Sequence, residues 1–596
     1  MKNGRTLLFL GIIFLLFAIA VPTSAEEGGG YSYTIANGEV TIYSTPISLS
    51  GDVVVPERIE GYPVTKIQSY AFSSRKNITS VQLPSTITSI GSYAFQGCSS
   101  LVSVSIPDSE VSLGEGVFKE CTALESCVFP KGMTEIPPET FWGCTSLKTI
   151  MIPENVQSVG RSAFQLCSSV TEIYIPKSVT EIGYVAFDGC ESVEKITIPF
   201  VGSSLADSSD SVFGEIFGGI NGSSVPQSLK EVVILGGNSI PTGAFEDCGS
   251  IEKIYIPDSI SEIGDKAFYS CFSLKEIVVD EKNSTYQSKG NCLIERATKR
   301  LILGCETSII PDDGTVTTIC AYAFSNCANL KKIVVPNSIR KIERYAFSGC
   351  SSLEEISIPF VGEKASNTSN THFGYIFGAG SIESHNAVFI PQTLKTVVVT
   401  GACSIAPSAF DRCRNIVSFT ATSNIKNIGE FAFLECSALK IVRFEGALQN
   451  LGQSAFLDCV SLKEILLPNS IQNIGNGVFG NCPDVKILCE KDSVAQQYAI
   501  KNRIAYEIIE MTHDSESETE LESDARTEPV TELESNTESE PNTETESEQM
   551  TEPESEHKNN PRDDGNSCEG SINSIAIIVV VSVVSGMLVL EKKENG

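Results

Sequence analysis

Residues 167–187 read C-S-S-V-T-E-I-Y-I-P-K-S-V-T-E-I-G-Y-V-A-F, and residues 98–118 read C-S-S-L-V-S-V-S-I-P-D-S-E-V-S-L-G-E-G-V-F. Both fit the frame C-x-x-L-x-x-I-x-I-P-x-x-V-x-x-I-x-x-x-A-F, allowing exchanges among apolar residues. Thirteen cysteines hold this frame to a ruler. Cys98, Cys121, Cys144, Cys167 and Cys190 are spaced 23 residues apart, as are Cys248 and Cys271, Cys327 and Cys350, and the run Cys413, Cys436, Cys459 and Cys482. A Phe stands three residues before each, from Phe95 to Phe479. A fixed period of about 20 to 50 residues marks stacked repeats, each burying its apolar face only against its neighbours.

Within the unit, Val104 and Ile106 alternate with Ser105, the two-residue period of a strand with one buried face. The Pro that follows cannot donate to a ladder and ends the strand. A second apolar pair, such as Val179 and Ile182, brings the chain back, and a small Ala and a bulky Phe fill the layer before the next turn. Counting Phe72 there are 14 regular coils. Strand spacing then predicts a sheet on the order of 65 Å long.

The segment L-x-x-I-x-I matches the L-x-x-L-x-L core of leucine-rich repeats. I-P-K-S-V-T-E-I-G-Y-V-A-F-D-G-C at 175–190 and V-P-N-S-I-R-K-I-E-R-Y-A-F-S-G-C at 335–350 resemble the consensus of the BspA-type leucine-rich repeat family, found mainly on bacterial surface proteins. The resemblance spans residues 31 to 509. It implies a leucine-rich repeat solenoid, mainly β with short helical turns, stacked right-handedly in 23-residue coils along one long parallel sheet. It also implies extracellular binding proteins and adhesins, with no shared active site to carry over.

The ends predict where the chain works. Lys2 and Arg5 precede an apolar run from Leu7 to Val21 and then Thr23-Ser24-Ala25, the layout of a secretory signal peptide over 1–25 cleaved after Ala25. An N-terminal cap follows over 26–72, with strands expected at Val40-Thr41-Ile42 and Val53-Val54-Val55. The repeats run over 73–491, with insertions near 200–228, 280–315 and 360–393, and a short helix at 492–502 opens a C-terminal cap over 492–510. Residues 511–571 form an acidic Ser/Thr/Glu/Pro-rich stalk; within it, 514–569 hold 20 acidic and three basic residues, a net −17. Such a segment lacks the apolar surface to offset the entropy of ordering, which predicts disorder. It reads as a spacer or as a solubilising acidic tail. Ile572 to Leu590 is an uncharged stretch of 19 residues before Glu591-Lys592-Lys593-Glu594. Its length suits a transmembrane helix, with the lysines in a cytoplasmic tail over 591–596; a buried strand or helix is the alternative. No L-P-x-T-G precedes it.

The whole chain carries −31; without the stalk and the leader's two cations about −16 remains. With no basic stripe and no RNA-binding aromatic motif, nucleic acid is excluded as a partner. A Cys at one position of every coil reads as a small buried apolar residue. Equivalent side chains on stacked strands point in parallel, which is poor disulfide geometry. The seven cysteines off the ruler (Cys127, Cys292, Cys305, Cys320, Cys403, Cys489 and Cys568) form no C-x-x-C pair, so no zinc site is expected.

Three gaps break the period. The first and third share I-P-F-V-G at 198–202 and 358–362, F-G-x-I-F-G at 213–218 and 373–378, and P-Q-[ST]-L-K at 226–230 and 391–395, which points to duplication of several repeats together. Their apolar residues (Phe213, Ile216, Phe217; Phe373, Ile376, Phe377) either pack back onto the solenoid or meet a ligand. The middle gap, with Leu293-Ile294 and Leu301-Ile302-Leu303 around E-R-A-T-K-R, reads as a hairpin.

The outward strand positions give the candidate binding face: Met151, Tyr174, Val233, Tyr255, Val278, Val334 and Val398. Two residues earlier runs a charged column that includes Glu172, Lys195, Glu231, Lys253, Glu276, Lys332, Glu355 and Glu464. Exposed Tyr is a favoured interface anchor and solenoid sheets are common binding surfaces, although β-branched and aromatic residues also simply suit strands. Catalysis finds no H-E-x-x-H, G-x-S-x-G or G-x-x-x-x-G-K-[ST], and only four His: His372, His385, His513 and His557. His372 and His385 read as exposed or packing residues. No cofactor or metal is expected. The reading is therefore a non-enzymatic, adhesin-like protein, exported and anchored at the cell surface, that binds an extracellular protein or glycan. A self-associating surface-layer component is the alternative, with a hydrolase of wall or mucus polymers third.

Overall fold

One coil shows how the residues dictate the path. Glu172–Tyr174 is a short strand. The chain turns at Pro176, whose carbonyl accepts the Val179 amide at 3.2 Å, and a second strand follows at Glu181–Ile182. Gly183 comes next, where a Cβ would lie 2.3 Å from the Arg161 nitrogen of the preceding coil, so only glycine allows the coils to approach so closely. The closing turn uses left-handed backbone at Val185 (φ 55°) and Gly189 (φ 74°) and tucks Phe187 and Cys190 inside.

The computed structural model describes residues 30–509, apart from 131, 207–211, 366–368, 382–385, 403, 423 and 424. The expected signal segment, stalk, membrane span and tail lie outside the described residues, as do His385, His513, His557, Cys403 and Cys568. Among the described residues no helix is long and apolar enough to cross a membrane.

Stacked coils make a β-solenoid with little helix, and the two strands of each coil build two columns of parallel ladders. The first-strand column is not the one long sheet expected. It divides into ladders running from Ser50–Val54 to Ser126–Val128, from Thr149–Met151 to Glu276–Val279, from Lys332–Val334 to Ile441–Phe444, and from Glu464–Leu466 to Ala505–Ile508. Two of the three breaks follow a Phe at the inward position where most coils have Ile, Val or Leu. Phe129 packs edge-on against Phe141 at 5.6 Å, and Phe444 edge-on against Phe419 at 6.4 Å. The coil register persists beyond the first of these breaks, where the Lys148 amide still donates to the Glu125 carbonyl at 3.4 Å.

The first and third insertions leave the ladder intact, since Lys195–Ile198 pairs directly with Glu231–Ile234, and Glu355–Ile358 with Thr396–Val399. Each folds a 3-10 turn, Phe213–Phe217 or Phe373–Phe377, into the place of a missing coil. The Phe187 amide donates to Ile216 and the Phe213 amide to Ala244, just as neighbouring regular coils bond. Of the two readings left open for these islands, packing is the one observed: Phe213, Ile216, Phe217, Phe373, Ile376 and Phe377 are all buried. The middle insertion is a three-stranded antiparallel meander, Tyr286–Lys289, Cys292–Glu295 and Arg300–Leu303, whose last strand joins the second column beside Thr318–Ile319.

The ends differ from the coils. At the start, Ser32–Ala36 and Glu39–Ser44 form an antiparallel hairpin around Asn37-Gly38, both left-handed. At the far end stands the helix Val494–Asn502, capped by Ser493, whose hydroxyl accepts the Gln496 amide at 3.2 Å. It brings the Tyr498 ring to 6.3 Å from Phe479 and closes the aromatic stack.

Candidate functional site

Register places the outward residues in rows. In one ladder Met151 faces Tyr174, Tyr174 faces Thr197, Thr197 faces Val233, Val233 faces Tyr255 and Tyr255 faces Val278. In the next, Val334 faces Ser357 and Ser357 faces Val398. The seven candidates thus form two patches, five residues in one and two in the other, because the middle insertion interrupts the column. Met151 and Val334 are 55% and 53% exposed, while Tyr174, Val233, Tyr255, Val278 and Val398 are half-buried. Thr197 and Ser357 are buried, short side chains between longer neighbours at equivalent points of the duplication.

Both tyrosines are held by carboxylates. The Tyr255 hydroxyl donates to Asp280 at 2.6 Å, and the Tyr174 hydroxyl to Glu154 at 3.0 Å. Partial burial, reinforced by Asp280, pushes the Tyr255 hydroxyl up to about 12, and the same two causes, with Glu154 as the carboxylate, raise Tyr174. The Tyr255 bond, with the Lys282 amide, in turn holds Asp280 below the usual carboxylate range. Both phenols therefore stay neutral donors at physiological pH, with rings fixed in orientation.

The charged column beside them is paired within itself. Lys195 lies 3.8 Å from Glu172 and 4.0 Å from Glu231, Lys253 3.1 Å from Glu276, and Lys332 2.8 Å from Glu355. These are exposed pairs, each worth at most about 1 kcal/mol. Their effect is to oppose register slips and to leave the face without a field of one sign. Chemically, such a face offers dispersion contact, two phenol rings and balanced polar groups.

His372 is buried, with its Nε2 3.3 Å from the Ala379 carbonyl and its ring edge-on to Tyr375, which makes it a packing residue of the third insertion. Among the described residues no group of three or more His, Cys, Asp or Glu side chains is placed to hold a metal. The 18 described cysteines are free thiols. A recess beside the middle insertion, lined by Lys266, Tyr269, Arg300 and Tyr322 among others, carries no mark in the repeat frame. The one available signal was that this insertion, unlike the other two, brings no Phe to the stack.

Short parallel strands, first strands commonly ended by Pro and the inward Phe and Cys of the regular coils define a leucine-rich repeat solenoid. The family model of the BspA type leucine rich repeat region matches in six copies over residues 65–215, 224–298, 303–388 and 385–505, and the chain belongs to that family. Among solved structures, a leucine-rich repeat protein from Bacteroides ovatus is 23% identical, with 82% of this chain and 100% of that chain covered and a TM-score of 0.29. A leucine rich cell surface protein from Faecalibacterium prausnitzii is 25% identical over 71% of this chain and 95% of that one, with a TM-score of 0.27. The pneumococcal vaccine antigen PcpA is 18% identical over 82% and 99%, with a TM-score of 0.25. No curated protein matches the sequence.

Proposed function

We propose that the chain is an exported cell-surface binding protein, adhesin-like, that recognises an extracellular protein or glycan noncovalently. Recognition falls to the outward column Met151, Tyr174, Val233, Tyr255 and Val278, continued by Val334 and Val398. The observation that carries this reading is the row of partly exposed apolar and phenolic side chains in strict cross-strand register, with both tyrosine hydroxyls pinned by carboxylates. Aromatic side chains held rigidly contribute contact area at low entropic cost. The self-paired charges suit a ligand of low net charge, bound by surface complementarity.

The signal segment over 1–25 and the span over 572–590 supply export and a membrane anchor, with the acidic segment 511–571 as a spacer that holds the repeats off the bilayer. The test is binding of the full chain in detergent micelles to arrays of extracellular-matrix proteins, mucins and glycans. A parallel sample carries Tyr174→Ser and Tyr255→Ser, with circular dichroism checking the fold. Saturable binding lost in the variant is expected. Binding that survives both substitutions refutes the sheet face. Absence of any ligand together with concentration-dependent self-association replaces the adhesin reading by a structural surface component.

A further inference from the structure

The Phe stack marks where one coil touches the next. It runs from Phe72 to Phe187 with ring centroids 4.8 to 5.7 Å apart, passes through the first island by Phe217 and Phe213, and reaches Phe268, 5.5 Å from Phe245. It resumes only at Phe324, which packs on the backbone of Gly304, where a Cβ would lie 2.2 Å from the ring. The middle insertion therefore fills the place of a coil with backbone and leaves a recess of about 300 Å³ between the coil of Phe268 and the coil of Phe324. That volume stands at the lower end of the range for small-molecule sites.

Backbone donors beside it lack the partners that their equivalents have. In the preceding coil the amides of Gly243, Phe245 and Asp247 donate to the carbonyls of Asp265, Ala267 and Tyr269. The equivalent amides of Lys266, Phe268 and Ser270 meet no acceptor among the described residues, because Gly304 has taken the Ala323 carbonyl that Phe268 would use. Lys266 and Phe268 both line the recess.

Side chains complete the lining. The Lys266 ammonium stands 5.8 Å from the Tyr269 ring and 5.2 Å from the Tyr322 ring, and the two rings meet edge-on at 5.4 Å. Arg300 enters from the meander, where its one ion-pair partner among the described residues is Glu295 at 4.0 Å. Two acids also line the recess, Asp265 and Glu343, and Glu343 is already engaged by Lys341 at 2.8 Å and by the Ala321 amide at 3.0 Å. Ile263, Ile302 and Leu303 supply apolar surface. The left-handed backbone of Lys266 and Tyr322 recurs at Tyr70, Tyr93 and Ser162, so it belongs to the coil and says nothing about a ligand.

We propose that this recess binds a sugar ring bearing a carboxylate, a uronic acid unit. The carboxylate meets the Lys266 and Arg300 side chains and the amides of Lys266 and Phe268, since charge-assisted bonds are the strong ones in a partly desolvated site. The ring's C–H face lies against Tyr322 and Tyr269, whose ring faces are electron-rich. Its hydroxyls donate to Asp265 and to the remaining lone pairs of Glu343. The site lies on the column opposite the proposed sheet face in each coil's path, and it stands or falls independently of that reading.

The test is calorimetric titration of the full chain in detergent micelles with methyl glucuronide, methyl glucoside and glutarate. Saturable glucuronide binding is expected, with the neutral glucoside and the ring-free glutarate each weaker by roughly tenfold or more. Lys266→Met, an exposed side chain whose loss leaves the core untouched, is expected to weaken glucuronide binding by a similar factor, whereas Lys148→Met on a distant coil leaves it unchanged. Tyr322→Ala, with circular dichroism confirming the fold, is expected to weaken both glycosides. Absence of glucuronide saturation overturns the site. Equal affinity for the glucoside overturns the carboxylate, equal affinity for glutarate overturns the sugar ring, and full binding by Lys266→Met overturns the assignment to this recess.

Discussion

Cys167 shows why this solenoid uses cysteine where a small apolar residue would fit. Its thiol donates to the Phe141 carbonyl of the preceding coil at 3.2 Å, and that carbonyl also accepts the Cys144 amide at 3.1 Å. The same bond recurs from Cys98 to Phe72, Cys121 to Phe95, Cys350 to Phe324 and Cys459 to Phe433. Cys248, Cys327 and Cys413, each the first ladder cysteine after an insertion, have no Phe at that offset, and the Cys327 thiol turns instead to the Gly304 carbonyl at 3.9 Å. The thiol thus gives a buried carbonyl its second partner while filling apolar space. Burial pushes the Cys190 and Cys350 thiols up to about 12. Thiolate is the reactive form, so at a pH near 8, where an ordinary Cys is partly ionised, these side chains stay protonated. Maleimide labelling followed by peptide mass spectrometry is expected to leave Cys167, Cys190 and Cys350 unmodified in the folded chain and to modify them after urea. Modification of these residues at the rate of an exposed thiol, without unfolding, would refute the account.

Each element earns its place through the next coil, and the third insertion tests this most sharply. Phe373 lies 5.4 Å from Phe377 and 4.9 Å from Phe410, so it joins the stacks on either side of a missing coil. Phe373→Ala is expected to cost about 3 to 5 kcal/mol, the range for a buried ring that cannot be replaced by collapse. Urea unfolding reads the loss; a cost near that of a surface change would mean that the insertion is an ornament. The coil itself was plain in the sequence, because the Phe and Cys positions and the alternation at residues such as Val104-Ser105-Ile106 report burial directly. The insertions were less so. Phe213 and Phe373 could be recognised as apolar, but their roles as substitute rungs depend on the Ala244 and Ala409 carbonyls of the following coil, which no local pattern reveals. Phe129 and Phe444 look like tolerable exchanges for Ile, and only the strand pairing shows that they stand at the ends of ladders. The outward tyrosines were legible as a period-two column, whereas the carboxylates that fix them, Asp280 and Glu154, lie 25 and 20 residues away. The recess of Lys266 and Arg300 arises from what the middle insertion omits, and an omission leaves no motif.

At the scale of the molecule the described residues bury two hydrophobic cores, one beginning at Val40 and ending at Cys305, the other beginning at Cys292 and ending at Ala499. The meander is the wall between them. Along the strand Cys292–Glu295, Leu293 belongs to the first core while Cys292 and Ile294 belong to the second; along Arg300–Leu303, Leu303 belongs to the first and Leu301 to the second. The Phe stack is interrupted here, and among the described residues one edge-on contact, Tyr269 with Tyr322 at 5.4 Å, joins rings of the two sides, so the wall transmits less than a continuous stack does. Repeat proteins gain stability from nearest-neighbour interfaces, and a weak interface sets the boundary of a cooperative unit. Phe433 stacks between Phe410 at 5.0 Å and Phe456 at 4.9 Å, well inside the second core. Phe433→Ala is expected to remove about 3 to 5 kcal/mol from that core. Native-state hydrogen exchange in mild urea should then show amides between Ile310 and Ala499 losing protection together, while those between Val40 and Val232 keep theirs. Equal loss on both sides of the meander would show that the wall couples the two cores and that the solenoid unfolds as one unit.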